Sequence, residues 1–234
     1  MTYKLSRVLI IAVVFFSCSS SKNISDNSLS KQEKKAGYVL LFDGTTANGW
    51  HAYQNKSMDS WDIESGTLHC KGASPAPADL VTNEKYENFD LSLDYKISPK
   101  GNSGILYMVT EANAHSSESG PEYQIIDDIN FPQKLEDWQR TAANYAMNPA
   151  PAAHPNPAGE WNHARIVVNG NHVEHWLNGE KVVEYELLSD DWKQRKNAGK
   201  WKDVPSYAKS KSGFIAFQNH GDEVWFKNIK IKEL

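Results

Sequence analysis

An antiparallel all-β fold, a sandwich or a barrel, is what this sequence predicts, on three observations. From Val39 onward, short apolar runs recur between turn-forming residues at near-regular spacing, the pattern of many short strands in layered sheets. Residues 90–97 alternate cleanly, with Leu91, Leu93, Tyr95 and Ile97 on one face and Ser92, Asp94 and Lys96 on the other, the period-2 signature of a half-buried strand. Two Asn-Gly pairs, at Asn169-Gly170 and Asn178-Gly179, sit between alternating runs, the strongest short-range hairpin signal.

Taken in order, the first strand is VLLF at 39–42, which runs into the turn Asp43-Gly44. Residues 61–64 then lead through Ser65-Gly66 into a strand over 67–70. After the alternating run at 90–97, strands are expected over 105–109, 123–126, 164–168, 172–177, 181–186, 214–217 and 224–231. The two Asn-Gly turns join three of these into an antiparallel meander. Helix is scarce. Ser189 is a candidate cap for a short helix over 190–195, with acids in its first turn and bases after them, and 135–140 can form a turn or two. The segment AMNPAPAAHPNPAGEW at 146–161 is too rich in proline for either element and is expected as a long surface loop, the kind that often carries function.

The start of the chain bears on location. Lys4 and Arg7 precede the apolar run VLIIAVVFF at 8–16, too short to span a bilayer, which reads as a secretory leader. Cys18, in Ser17-Cys18-Ser19-Ser20, stands where a bacterial lipobox places its acylated cysteine. The expected organisation is a lipoprotein signal peptide over 1–17, a serine-rich flexible tether over 18–36 and a single catalytic domain over 37–234. The protein would then be lipid-anchored in the bacterial cell envelope, on its periplasmic face, since the tether lacks a strong acidic cluster. A net charge of −4, more acidic once Lys4 and Arg7 leave, argues against nucleic acid as partner. With Cys18 acylated, Cys70 has no partner for an intrachain disulfide, so the core alone holds the domain.

Chemistry-bearing residues cluster in a few places. Gly101-Asn102-Ser103-Gly104 precedes the strand ILYMV, which ends at Thr110-Glu111. In the next strand, Glu122, Gln124 and Ile126 share one face, while Tyr123, Ile125 and Asp127 share the other. A face with a glutamate and a glutamine is either solvated or lines a cleft. Near the C-terminus the corner Gln218-Asn219-His220-Gly221 interrupts an apolar strand pair; a turn needs the glycine, but it does not need the histidine. The chain has eight tryptophans and ten tyrosines. Trp138, Trp192 and Trp201 fall in loop or short-helix segments, where an aromatic face can stack on the apolar face of a pyranose. No nucleophile elbow, phosphate loop or zinc-ligand spacing is present.

These motifs in this order, LFDGTTANGW, WDIESGTL, LVTNEKYENFDL, GNSGI, GPEYQIIDD, PAGEWN, HWLNG and FQNHG followed by FKNIKI, resemble the 3-keto-disaccharide hydrolase family, also described as 3-keto-glucoside lyase and 3-keto-2-hydroxyglucal hydratase domains. The resemblance runs from Val39 to Leu234 and implies a concanavalin A-like (jelly-roll) antiparallel β-sandwich with long loops. It also implies a hydrolase or lyase acting on 3-keto-glycosides. A ketone at carbon 3 acidifies the hydrogen on carbon 2, so a base can remove it, the group on carbon 1 leaves, and water adds to the resulting glucal. On this reading His220 and Glu122 are the catalytic pair. Asn102, Gln124, Gln218, Trp138 and Glu111 are the substrate-binding residues, with Glu111 and Asp127 as alternative carboxylates. One divalent cation, on candidates Glu122, Asp127 and His220, is the cofactor expected, with no organic cofactor; the partner is a small carbohydrate.

Two positions depart from the family pattern. Leu106-Tyr107-Met108 stands where many relatives carry an arginine, and Asn219 where many carry aspartate. The first removes a cation from the enolate and makes a metal more necessary or the substrate different. The rival reading is a non-catalytic carbohydrate-binding module on the same scaffold. A pocket in which His220 and Glu122 converge favours the enzyme; a shallow aromatic platform favours the binder.

Overall fold

The computed structural model describes residues 25–234, so the leader, Cys18 and the beginning of the expected tether lie outside the described residues. The strands are β1 (Val39–Leu40), β2 (Trp50–Ala52), β3 (Trp61–Glu64), β4 (Thr67–Lys71), β5 (Leu80–Thr82), β6 (Phe89–Ile97) and β7 (Asn102–Val109). They continue with β8 (Glu122–Ile126), β9 (Asn162–Asn169), β10 (His172–Leu177), β11 (Glu180–Glu186), β12 (Phe214–Phe217) and β13 (Glu223–Glu233). Two antiparallel sheets result. The larger has eight strands in the order β11-β10-β9-β6-β13-β4-β3, with β1 also on β13; the smaller has five, β2-β5-β12-β7-β8. The expected sandwich is therefore found.

The alternating run of β6 decides how the sheets face each other. Leu91, Leu93, Tyr95 and Ile97 are buried in the main core beside Ile166, Val168 and Val173 of the same sheet. Tyr107, Tyr123, Ile125 and Phe217 of the smaller sheet belong to that core as well. The turn between β10 and β11 has Asn178 at φ 50° and Gly179 at φ 89°. Both residues are left-handed, as a two-residue type I′ turn requires.

The reading of 18–36 as a tether is corrected over its described part. Residues Lys31–Ala36 form a helix, α1, and Ser30 caps it: its hydroxyl accepts from the Glu33 amide while the Glu33 carboxylate accepts from the Ser30 amide. Preceding residues bind the bulge of β13, where the register shifts between Lys227 and Lys230. The Asn27 amide donates to Asn228 Oδ1 at 2.6 Å, the Asn228 amide donates back to Asn27 Oδ1 at 2.9 Å, and Asp26 pairs with Lys227 at 2.7 Å. A bulge leaves backbone groups off the ladder, and this polar segment satisfies them. Composition registered too little apolar surface to fold, but the segment is held by hydrogen bonds instead.

The second helix, α2 (Asp190–Ala198), starts where Ser189 accepts from the Trp192 amide at 3.2 Å. The proline-rich stretch at 146–161 carries no strand or helix. Trp192 and Trp201 are buried and stack on either side of Tyr207, with ring centroids 6.2 and 4.4 Å apart. They hold α2 and the loop after it together in the core and present no face to a ligand. Trp138, at 37% exposure, is the tryptophan left open.

Candidate active site

β8 is an edge strand whose inward residues Tyr123 and Ile125 are core. Alternation sends Glu122 and Gln124 to the opposite face of the smaller sheet. That face is not left to solvent. The segment 142–145 runs along β8, with the Tyr145 amide donating to the Glu122 carbonyl at 3.0 Å and the Ala142 amide to the Gln124 carbonyl at 2.8 Å. Glu122 and Gln124 open on a cleft of about 690 Å³, counting its open mouth. Glu122, Gln124, Asn102, Gln218 and His220 all line it. Five residues named from sequence therefore meet in one cavity although they come from three separate stretches of chain.

The His220 corner is fixed to β7 at several points. The Gln218 amide donates to the Gly104 carbonyl at 2.9 Å, and the Ser103 hydroxyl donates to the Gln218 carbonyl at 2.8 Å. The Asn219 amide donates to Asp79 Oδ1 at 2.8 Å, and the Asn219 side chain accepts from the Gly221 amide at 3.0 Å. Gly221, at φ 97°, turns the chain. His220 itself is exposed at the cleft wall.

Glu122 is 4% exposed, and its carboxyl has no hydrogen-bond partner among the described residues. Burial pushes its pKa up to about 8; the charge of Lys200 pulls against this and that of Asp79 adds to it. Near neutrality the side chain is therefore mostly protonated and able to donate. Asp79 is also raised, first by burial, although the Ser116 hydroxyl and the Asn219 amide donate to it.

Three further polar atoms in the cleft wall are buried without a protein partner: Asn102 Oδ1, Gln218 Oε1 and Asn219 Nδ2. A buried polar atom left unpaired costs roughly 1–3 kcal/mol. Two acceptors and a donor around one cavity fit a ligand rimmed with hydroxyls.

Gly104 explains part of the GNSG motif. A Cβ there would collide with the Glu122 carboxyl, so only glycine leaves that carboxyl its place. Gly104→Ala is expected to cut turnover by about a hundredfold through misplacement of Glu122, with the β-sheet circular dichroism retained. Unchanged turnover would mean that the carboxyl works equally well elsewhere.

The remaining sequence candidates lie elsewhere. Glu111 sits past the far end of β7, where its carboxylate accepts from the Gln54 amide and faces His51 Nε2 at 3.3 Å. Asp127 follows the end of β8 and accepts from the amides of Lys100, Ile129 and Asn130 at 2.8, 3.1 and 3.0 Å. It closes a turn and does not line the cleft. Glu122, Asp127 and His220 thus do not form a ligand set, and the residues do not fit the cation expected on them. Among the described residues, the His, Asp and Glu side chains close enough to share an ion are His172, Glu174 and Glu184, on β10 and β11. Trp138 borders the cleft without lining it, its ring edge against Tyr145 at 5.4 Å.

Asp79, His115, Ser116, Tyr145 and Lys200 line the cleft too, and none was named from sequence. Lys200 carries the one Lys or Arg charge in the lining, its Nζ 4.6 Å from the centre of the Tyr145 ring. Leu106 and Tyr107, in the stretch where an arginine was expected, are fully buried, whereas Lys200 comes from the loop after α2.

Residues 37–232 match the family model for a 3-keto-alpha-glucoside-1,2-lyase-like domain. A 3-keto-disaccharide hydrolase of Bacteroides thetaiotaomicron is 35% identical over 92% of this chain and 84% of its own length. A solved structure from Parabacteroides distasonis, described as a candidate glycosyl hydrolase, superposes with a TM-score of 0.85 at 43% identity, covering 90% of this chain and all of that one. A carbohydrate-binding module of Bacillus subtilis shares the fold alone, with a TM-score of 0.51 at 11% identity over 79% of this chain and 96% of its own.

Proposed function

Because the chain belongs to the 3-keto-alpha-glucoside-1,2-lyase-like family, and so to the glycoside-acting enzymes, we propose that its cleft cleaves 3-keto-glucosides by elimination followed by hydration. The observation that carries this is Glu122: a buried, unpaired carboxyl with a raised pKa, in one cavity with an accessible imidazole and unpartnered amide atoms. A binding module has no use for a proton donor held at such cost.

The steps balance. His220 removes the proton from carbon 2, and that electron pair forms an enolate with the carbon 3 oxygen. The enolate collapses, the bond from carbon 1 to the leaving oxygen breaks, and that oxygen takes the Glu122 proton. The product is an enone sugar, with His220 protonated and Glu122 ionised. Water then adds at carbon 1, giving a proton to Glu122, while His220 returns its own to carbon 2. Both side chains end as they began, and one water has been consumed. Lys200 stabilises the enolate charge, the electrostatic term that weighs most in such steps. Asn102, Gln218 and Asn219 hold hydroxyls through their unpartnered atoms.

Since Lys200 supplies the positive charge, no step is routed through a metal. The start of the chain, with its basic residues, short apolar run and Cys18, supports a lipid-anchored enzyme of the bacterial envelope.

The test uses purified protein, a 3-keto-glucoside and its parent glucoside. Only the keto form should be cleaved, more slowly when carbon 2 carries deuterium, and as fast in EDTA as without it. Equal cleavage of both sugars, or no isotope effect under conditions where chemistry is rate-limiting, would point to direct hydrolysis. Loss of rate in EDTA would return a metal to the cleft.

A further inference from the structure

Beyond Lys200 the polar cleft gives way to a second groove of different character. Its floor is Ala146, Met147, Pro149 and Ala198, and the exposed ring of Trp138 forms one wall. Lys200 lines both cavities. The Tyr145 ring links them further, since it touches Trp138 on one side and lies under Lys200 on the other. A substrate whose sugar occupies the cleft therefore has a continuous surface onto which its carbon 1 substituent can extend.

The chemistry of the groove selects what that substituent is. Of its charged groups, Arg195 is held by Asp191 at 2.8 Å and the Met147 carbonyl at 3.2 Å, while Asp137, 3.7 Å from Arg140, stands at the exposed rim. The floor and the Trp138 wall offer a hydroxyl no side-chain partner, and the charged groups stand at the ends of the groove. A second hexose would give up water at its hydroxyl rim with little in return, at a cost for each unpaired group. A flat apolar ring loses nothing there and gains the indole face. The opening on the other side of the cleft, past His220, is walled by Gly72, Ala73, Ser74 and Pro77 and offers no aromatic surface.

We propose that this groove is the leaving-group subsite, that it takes an aromatic aglycone, and that Trp138 is the residue determining that specificity. The proposal rests on the 3-keto-glycoside reading of the cleft. Three substrates test it: a 2-naphthyl 3-keto-glucoside, methyl 3-keto-glucoside and a 3-keto-disaccharide. In Trp138→Ala the ratio of the methyl KM to the naphthyl KM should fall roughly tenfold, as loss of one aromatic stack implies, while Trp138→Tyr restores it. The kcat for the naphthyl substrate should hold, since the chemistry lies in the cleft. A ratio that does not move, or a disaccharide KM that rises as much as the naphthyl one, would overturn the aromatic assignment. If wild-type protein cleaves none of the three, the catalytic reading has failed, and the groove is then read by binding alone. Quenching of tryptophan fluorescence by 2-naphthyl glucoside, lost in Trp138→Ala, would still support the subsite; no quenching would sink it.

Discussion

Alanine at His220 is expected to lower turnover of a 3-keto-glucoside by roughly 10²–10⁴-fold, the usual contribution of a positioned general base. The corner that carries it is held by backbone groups and by Ser103, Asp79 and Asn219, none of which bonds to the imidazole. The side chain can therefore be removed without loosening the turn, and the melting temperature should stay within a few degrees of wild type. Added imidazole should restore part of the rate, because the space it left borders the open mouth of the cleft. His115 lines the same cavity and is the natural competitor for the role. If His220→Ala keeps its rate and His115→Ala loses it, the base has been assigned to the wrong histidine. If neither matters, the elimination chemistry falls.

How far the sequence exposed this arrangement depended on whether the information was local. β6 and the β9–β10–β11 meander were legible because alternation and Asn-Gly turns act over a few residues. Glu122 and Gln124 were legible for the same reason: two polar residues shared one face of a strand, and that face lines the cleft. Asp127 entered the candidate site through the resemblance, although alternation already set it on the face opposite Glu122; it follows β8 and its carboxylate is taken by a turn. Trp192 and Trp201 were read as open faces since they lie in irregular chain, yet their mutual contact with Tyr207 is tertiary and left no local mark. Lys200, Asp79 and His115 reach the cleft from three loops far apart in sequence, and nothing in their neighbours distinguishes them from surface residues. The N-terminal helix was different. Ser30 with Glu33 three residues on is a capping-box pattern, present in the sequence and outweighed by the polar composition around it.

Glutamine at Glu122 should give the second large effect, again roughly 10²–10⁴-fold, but with a dependence on the leaving group that alanine at His220 lacks. A methanol or sugar leaving group needs the proton that Glu122 supplies; a nitrophenolate does not. The loss should therefore shrink to less than about tenfold for a 4-nitrophenyl 3-keto-glucoside. Wild-type enzyme should lose activity on alkyl substrates above pH about 8, where burial no longer keeps the carboxyl protonated, and the variant should lack that alkaline limb. Stability follows the same proton with a definite sign. The folded protein keeps a proton up to pH about 8 that the unfolded chain releases from about 4.5. Folding takes up that proton in between, so stability contributed by the protonated group is complete below 4.5 and is lost as pH rises to about 8. The loss is at most about 5 kcal/mol. Glutamine cannot ionise, so the fall in melting temperature between pH 6 and pH 9 should be smaller in Glu122→Gln than in wild type. An equal fall in both proteins, with an equal rate loss on methyl and nitrophenyl substrates, would mean that Glu122 is ionised in the cleft and binds the sugar instead of protonating its leaving group.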